Sequence, residues 1–401
     1  MSSSTSNSRE AYKPIALRLG LAMAAALAAL NLFYFAMGIR AENIIDRVVE
    51  SRQALPKIVS EEKDLMLFFG SSMVEAGFSP RVYDRKMLEL GKNVKSFNFG
   101  FGGLNPYYQD FLSRRIKEAF QENDRRIKLS VIEFNPFQTT KKRWEGAQFT
   151  IDSYLTMLAS NSELWEVAKT DFERGALLFT IKYLRNDISA EIFTSFIGRQ
   201  LFPGQRPPRQ SEPEEIRKKR RELRQKLMKK FEEEYPDYED ADWYYPWQGG
   251  GTIASERSEE TLQIFRDYYA TFQNPIHKEN ARQRRIARAD IEGLNFEPVL
   301  LNSFVQIVKN FQAVSEHVEV VILPRQTEVI KYNEETKARL AKAIKQIEEK
   351  TGVTIRNQQE LPQFTPDMYS DATHFTRYHG DMAYTQLIVE EFKEHFDEIL
   401  P

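Results

Sequence analysis

Short runs of strand character that alternate with helical patterns constrain this chain more than any other feature. They lie at Leu65-Met66-Leu67-Phe68-Phe69, Val94 to Asn98, Leu129 to Phe134 and, much later, Val318 to Leu323 and Val353 to Ile355. Apolar runs of four to eight residues suit strands buried on both faces, and parallel strands need a connection between them long enough for a helix. The pattern predicts an α/β fold, a doubly wound parallel sheet in a three-layer α/β/α arrangement. Between Thr140 and about Pro298 the strand signal gives way to long charged, helical stretches. That segment reads as a mainly helical insertion over 141–298, splitting the sheet domain into a first part, 63–140, and a second part, 299–401. Pro203, Pro207, Pro208 and Pro213 mark a loop within it, and Gly249-Gly250-Gly251 a second break.

The N-terminus sets the expected compartment. From Leu19 to Ile39, 21 residues carry no charge. At about 1.5 Å per residue they make roughly 32 Å of helix, enough to span a bilayer core once. Arg9, Lys13 and Arg18 precede this stretch, whereas Arg40 and Arg47 after it are mixed with Glu42, Asp46 and Glu50. The positive-inside bias therefore expects a cytoplasmic N-terminus over 1–18, a transmembrane anchor over 19–39 in the inner membrane, a polar stalk over 40–62, and a periplasmic or other extracytoplasmic body. A signal peptide cleaved near Ala36-Met37-Gly38 is the rival reading, but the apolar stretch exceeds the usual 7–15 residues of such signals.

Composition narrows the chemistry. In 401 residues there are no cysteines, which excludes disulfide scaffolds, thiolate metal sites and a cysteine nucleophile together. Lys and Arg number 56 against 58 Asp and Glu, a balance that gives no electrostatic reason to expect nucleic acid. His277, His317 and His395 stand alone, without metal-ligand spacing, so neither a metal nor a cofactor is expected.

Ligands of open α/β sheets bind beyond the carboxyl ends of the strands, and the first three predicted strands all end in unusual turns. The first is Gly70-Ser71-Ser72; a hydroxyl there stands clear of the sheet, beside a helix N-terminus that favours developing negative charge. The second, Asn98-Phe99-Gly100-Phe101-Gly102-Gly103, offers glycines for a close backbone approach. The third, Glu133-Phe134-Asn135-Pro136, brings a side-chain amide to the same edge. Far downstream, Asp371-Ala372-Thr373-His374 sets a carboxylate three residues before an imidazole.

In this order the four blocks resemble the SGNH or GDSL-like hydrolase family. The resemblance covers roughly 63–137 and 316–398. It implies that Ser72 is the nucleophile, His374 the base and Asp371 its orienting acid, with the Ser72 and Gly103 backbone N–H groups and the Asn135 amide as an oxyanion hole. Where the family has Gly-Asp-Ser this chain has Gly70-Ser71-Ser72, and where it has Gly-x-Asn-Asp this chain has Glu133-Phe134-Asn135-Pro136. Such departures are similar to those of membrane-anchored members that transfer acyl groups to envelope polymers. The implied activity is a serine esterase or acyltransferase acting on acyl, in particular acetyl, esters of an envelope or exported polysaccharide, with a membrane-bound O-acyltransferase as a partner.

Plainer readings stand beside these. Ser72 also suits a helix N-cap, Asn135 a turn before Pro136, Asp371 and His374 a surface pair capping the last helix, and the glycines a tight turn. His379 competes with His374 for the base role at a spacing foreign to the family. The basic run Arg217 to Lys230 reads as a solvated helix whose Leu223, Leu227 and Phe231 face the body, or as a membrane-surface contact. Trp243, Tyr244 and Trp247 form either a sugar-stacking platform or packing for the insertion. The alternative function is a non-catalytic, membrane-tethered scaffold or glycan-binding protein of an envelope assembly complex.

Overall fold

The computed structural model of the chain describes residues 17–22, 24–26, 28, 29, 48, 54–146, 155, 158–184, 209–234, 258–377 and 379–397. The chain divides into two compact units, one formed by Met1–Ile45 with Phe149–Gly204 and the other by Asp46–Gln148 with Gln205–Pro401. The segment expected as one insertion therefore contributes to both units.

The larger unit holds a sheet of five parallel strands in the order β2-β1-β3-β4-β5: β1 Asp64–Ser71, β2 Val94–Phe101, β3 Ile127–Glu133, β4 Ser315–Ile322 and β5 Ile355–Asn357. The first four fall where strand character was expected, with β1 and β2 running further towards their carboxyl ends, while β5 shares only Ile355 with the expected run Val353 to Ile355. Gly70 pairs with Gly100 and Ser71 with Phe101, so the expected glycine-rich turn after β2 shrinks to Gly102-Gly103. Leu65 to Phe69 are all essentially inaccessible, a burial that stabilises by roughly 1.5–3 kcal/mol per side chain.

Helices follow or precede the strands: α1 Ser72–Gly77, α2 Pro80–Glu89, α3 Pro106–Glu122, α4 Glu214–Glu234, α5 Glu259–Ala270, α6 Pro275–Ala289, α7 Pro298–Gln312, α8 Glu334–Thr351 and α9 Gly380–Phe392. Successive strand residues point to opposite faces, and their partners show that both faces are covered. Phe68 meets Phe78 and, on α9, Tyr384, with ring centroids 5.2 and 6.2 Å apart. Its neighbour Phe69 meets Phe311 on α7 at 5.0 Å. Helices α1, α2 and α9 pack together on the first side, and α3, α7 and α8 on the second. The strand order reverses between β1 and β3, which opens a crevice at their carboxyl ends.

The two ends of the 141–298 segment are pinned side by side: Lys141 N donates to Asn295 O at 2.7 Å and Glu297 N to Thr139 O at 2.9 Å. Its described residues form helices and one 3-10 turn joined by irregular stretches, with a single isolated bridge, Thr140 to Phe296, at the pinned ends. On α4, Leu223 is buried and Leu227 packs against Phe265 and Tyr269 of α5, as the apolar spacing expects. In the smaller unit, helices Asn161–Thr170 and Phe172–Leu184 approach closely at Gly175, where a Cβ would lie 2.2 Å from the Cβ of Ala168.

Among the described residues no helix is long and apolar enough to cross a membrane. Of the expected anchor, only 19–22, 24–26, 28 and 29 are described, as helix. The rest of it, Ala36-Met37-Gly38 and the aromatic residues Trp243, Tyr244 and Trp247 lie outside the described residues.

Candidate active site

Ser72 stands on the β1–α1 turn, and the residue before it is the cap. Ser71 Oγ accepts from Met73 N at 3.1 Å, so the capping alternative belongs to Ser71, and Ser72 is the first helical residue. Two glycines let this turn form. A Cβ on Gly100 would lie 2.1 Å from the backbone N of Glu75, so β2 and α1 touch only because that side chain is missing. A Cβ on Gly70 would lie 2.5 Å from Glu133 Oε2. Asn98, within the expected binding turn, instead ties β2 to α1: its amide donates to Val74 O and Phe78 O at 3.0 and 2.8 Å, and its Oδ1 accepts from Gly100 N.

His374 reaches the same place from a loop at the far end of the chain. Its Nε2 lies 2.7 Å from Ser72 Oγ, and its Nδ1 lies 2.9 Å from Asp371 Oδ2. Asp371 Oδ1 accepts from the backbone N–H groups of Thr373 and His374 at 2.8 and 2.9 Å. The Asp-x-x-His spacing is thus a local turn that closes on its own carboxylate. The loop is held by the Tyr369–Phe375 bridge and by Ser370 N donating to His374 O at 2.9 Å. Phe375 stacks on Tyr369 and Tyr384 and sits over Gly77, where a Cβ would come within 2.9 Å of its ring. The floor beneath His374 is therefore also the end of the helix that carries Ser72.

The fourth side chain of this cluster was not foreseen from the sequence. Arg285, on α6, brings Nη2 to 3.2 Å from Asp371 Oδ2 and 3.0 Å from His374 Nδ1. A guanidinium only donates, so when Nδ1–H points at Asp371, the Arg285 hydrogen goes to the carboxylate. Burial alone would raise the Asp371 pKa. The adjacent His374 and Arg285, with the bonds from His374 and the Thr373 backbone, instead hold it well below the usual carboxylate range. In sequence nothing sets Arg285 apart from Arg282, Arg284 and Arg288 on the same helix.

The oxyanion-hole residues fare unequally. Gly103 is exposed with φ +79°, a left-handed conformation that glycine adopts without strain. Its carbonyl accepts from Arg143 Nη2 at 2.9 Å, and Arg143 also bonds the Gln138 side chain, linking the second and third turns. Asn135 is buried beside Ser71, and its amide is committed. Oδ1 accepts from Phe137 N and Gln138 N at 2.9 and 3.2 Å, which fixes the orientation. Nδ2 then faces Ser71 Oγ at 2.8 Å, Glu133 Oε1 at 2.9 Å and Met73 Sδ at 3.5 Å. The expected third donor is thus part of a buried network rather than a group open to a ligand.

Glu133 anchors that network, its Oε2 accepting from Ser71 N at 2.6 Å. Burial pushes its carboxyl up to about 7, and the hydrogen bonds from Ser71 and Asn135 only partly offset this. The signal was present: an acid directly after the apolar pair Val131-Ile132 at the end of a strand that is buried at every position but Lys128.

The remaining histidines lie elsewhere. His379 pairs with Asp367 at 3.4 Å, His277 with Glu212 at 2.8 Å and His395 with Glu319 at 3.0 Å, while the tilted rings of His317 and His395 lie 4.5 Å apart. Asp371 and His374 do not cap α9, whose N-cap is His379. Among the described residues no group of three His, Asp or Glu is placed to hold a metal ion. No protein-family model matches the chain, and no curated protein matches it.

Proposed function

We propose that this chain is a serine ester hydrolase or acyltransferase that acts on acyl esters of an envelope or exported polysaccharide. One observation carries the reading: Ser72 Oγ, His374 Nε2, His374 Nδ1 and Asp371 Oδ2 form a continuous chain at 2.7 and 2.9 Å between residues 302 apart in sequence. A serine hydroxyl is a weak nucleophile unless a base takes its proton as it attacks. His374 Nε2 takes that proton, while Asp371 holds the tautomer with Nδ1–H and stabilises the imidazolium. Attack on the ester carbonyl forms the Ser72 acyl ester, and His374 returns the proton to the departing alkoxide. A water or glycan hydroxyl, deprotonated by His374, then takes the acyl group and frees Ser72. The Ser72 and Gly103 N–H groups suit the oxyanion, and Asn135 joins them if its amide leaves Ser71.

The uncharged stretch 19–39 supports a single-pass anchor with the N-terminus in the cytoplasm and the body outside. The fold reading extends to a doubly wound, three-layer domain on that anchor, with a membrane-bound O-acyltransferase as acyl supplier. The second reading, a non-catalytic glycan-binding scaffold, is favoured by the commitment of the Asn135 amide to Ser71 and Glu133. A fluorophosphonate probe separates the two: it should label wild-type protein at Ser72 and leave Ser72→Ala and His374→Ala unlabelled. Absence of labelling in folded wild-type protein would give the scaffold reading its place.

A further inference from the structure

Beside the triad, α6 carries four arginines, of which Arg284 is half-buried. Asn280, Arg284 and Arg288 share one face of this helix, spaced i, i+4, i+8, and Arg285 turns from it towards Asp371. The segment ahead of α4 lies along the same helix: Gln210 N donates to Asn280 Oδ1 at 3.0 Å and Asn280 Nδ2 to Gln210 O at 2.8 Å. Gln210 is therefore held about one helical turn from Arg284, and its neighbour Arg209 is close enough to repel the Arg284 charge. Among the described residues, these nearby acids are already engaged. Glu212 pairs with His277 and Arg220, Glu279 and Glu292 with Arg282, and Asp371 with His374 and Arg285.

Arg284 makes no hydrogen bond or ion pair of its own among the described residues, although it is half-buried. Its charge is disfavoured first by burial and then by Arg285, with Arg288 and Arg209 adding to the repulsion and Asp371 opposing it. Gathering like charges around a partly buried cation is unfavourable unless an anion completes the group.

We infer that Arg284, flanked by Arg209 and Arg288, binds an oxyanion repeated along the substrate, a carboxylate or phosphate of an anionic glycan. The inference rests on the proposed function only in calling that glycan the substrate. A planar guanidinium takes either oxyanion through two parallel hydrogen bonds. Arg284 lies close enough to Asp371 to feel its charge, so the captured group would sit on the Asp371 side of the triad.

The test measures binding without turnover. Deacylated oligosaccharides of three kinds are titrated into full-length protein in detergent: a polyuronate, a glycerol-phosphate polymer and a neutral glucan. Wild-type protein should bind one of the two anionic polymers, more weakly as salt rises, and should not bind the glucan. Arg284→Gln should lose about tenfold or more in affinity, whereas Arg284→Lys should retain part of it. The remote surface variant Lys345→Gln should match wild type. Which anionic polymer binds decides between carboxylate and phosphate. Equal binding of the glucan, no binding of either anionic polymer, or Arg284→Gln binding as tightly as wild type would overturn the inference. If Arg284→Gln does not fold, the salt dependence and the lysine variant still decide it. Probe labelling of Ser72 reports on the enzyme reading separately: anion binding without labelling keeps this site and removes the esterase, and labelling without anion binding does the reverse.

Discussion

Ser72 and His374 arrive at one hydrogen bond from opposite structural conditions. The serine stands on regular structure: β1 delivers it, Ser71 caps the helix it begins, and Glu133, Asn98 and two glycines fix the turn within 62 residues of chain. The histidine stands on a loop between two short pieces of structure, held by Phe375 beneath it and by Arg285 from α6 beside it. Gln273 Nε2 adds a bond to Tyr369 O at 3.0 Å from the same part of the chain as α6. The contrast shows where each half is vulnerable. Damage to the serine half disturbs the sheet itself, whereas damage to the histidine half disturbs geometry and charge while leaving the core intact.

The largest effect tests whether the halves act as one. Ser72→Ala and His374→Ala should each lower kcat/KM for an aryl acetate by about 10⁴-fold or more, and the double variant should fall little further, because triad members act as a unit. Losses that multiply would mean the two residues work separately.

Next comes the backbone of the serine half. Gly100→Ala forces a Cβ to 2.1 Å from a backbone nitrogen, and overpacking of that kind should destabilise by about 3 kcal/mol. Denaturant unfolding measures it; a change under 1 kcal/mol would show that β2 and α1 need no such contact.

The buried acid beneath the same turn predicts a pH dependence of similar or smaller size. Glu133 has a folded-state pKa raised to about 7 from an ordinary 4.5. The folded state therefore holds the proton that the unfolded state releases, and stability falls as pH rises from about 4.5 to 7, then levels off. The full shift corresponds to about 3 kcal/mol. Asp381, pushed up to about 8 by burial, acts with the same sign. Unfolding at pH 5 and pH 8 should show greater stability at pH 5, with a shallower slope in Glu133→Gln; an unchanged slope in that variant would remove Glu133 as a source.

The smallest effect probes the histidine half. Arg285→Gln should lower kcat by about 10–100-fold, as loss of a supporting partner typically does, while the melting temperature stays close to wild type. Arg285→Lys should recover part of the rate. With that cation gone the Asp371 pKa rises, so the stability that Asp371 contributes, lost as pH falls through its folded pKa, should be lost from a higher pH. A drop in melting temperature matching the drop in rate would make Arg285 a structural residue instead.

The sequence by itself determined what short-range rules govern. Burial on both faces makes strands of Leu65–Phe69 and Leu129–Ile132 whatever their neighbours. A carboxylate three residues before an imidazole closes its own turn, which is why Asp371 and His374 were legible as a pair. Gly100 was noticed for the wrong reason, since it serves helix packing rather than ligand approach. What lay beyond reach was every contact set by the order β2-β1-β3-β4-β5 and by the folding of α6 against the last loop. Only the tertiary structure directs the Asn135 amide to Ser71 and Glu133, and only it selects Arg285 from four arginines on α6 to meet the triad. The physical reason is distance along the chain: a local pattern fixes a residue's conformation, but a partner 64 or 89 residues away is chosen by which surfaces are left to pack and which charges remain to be neutralised.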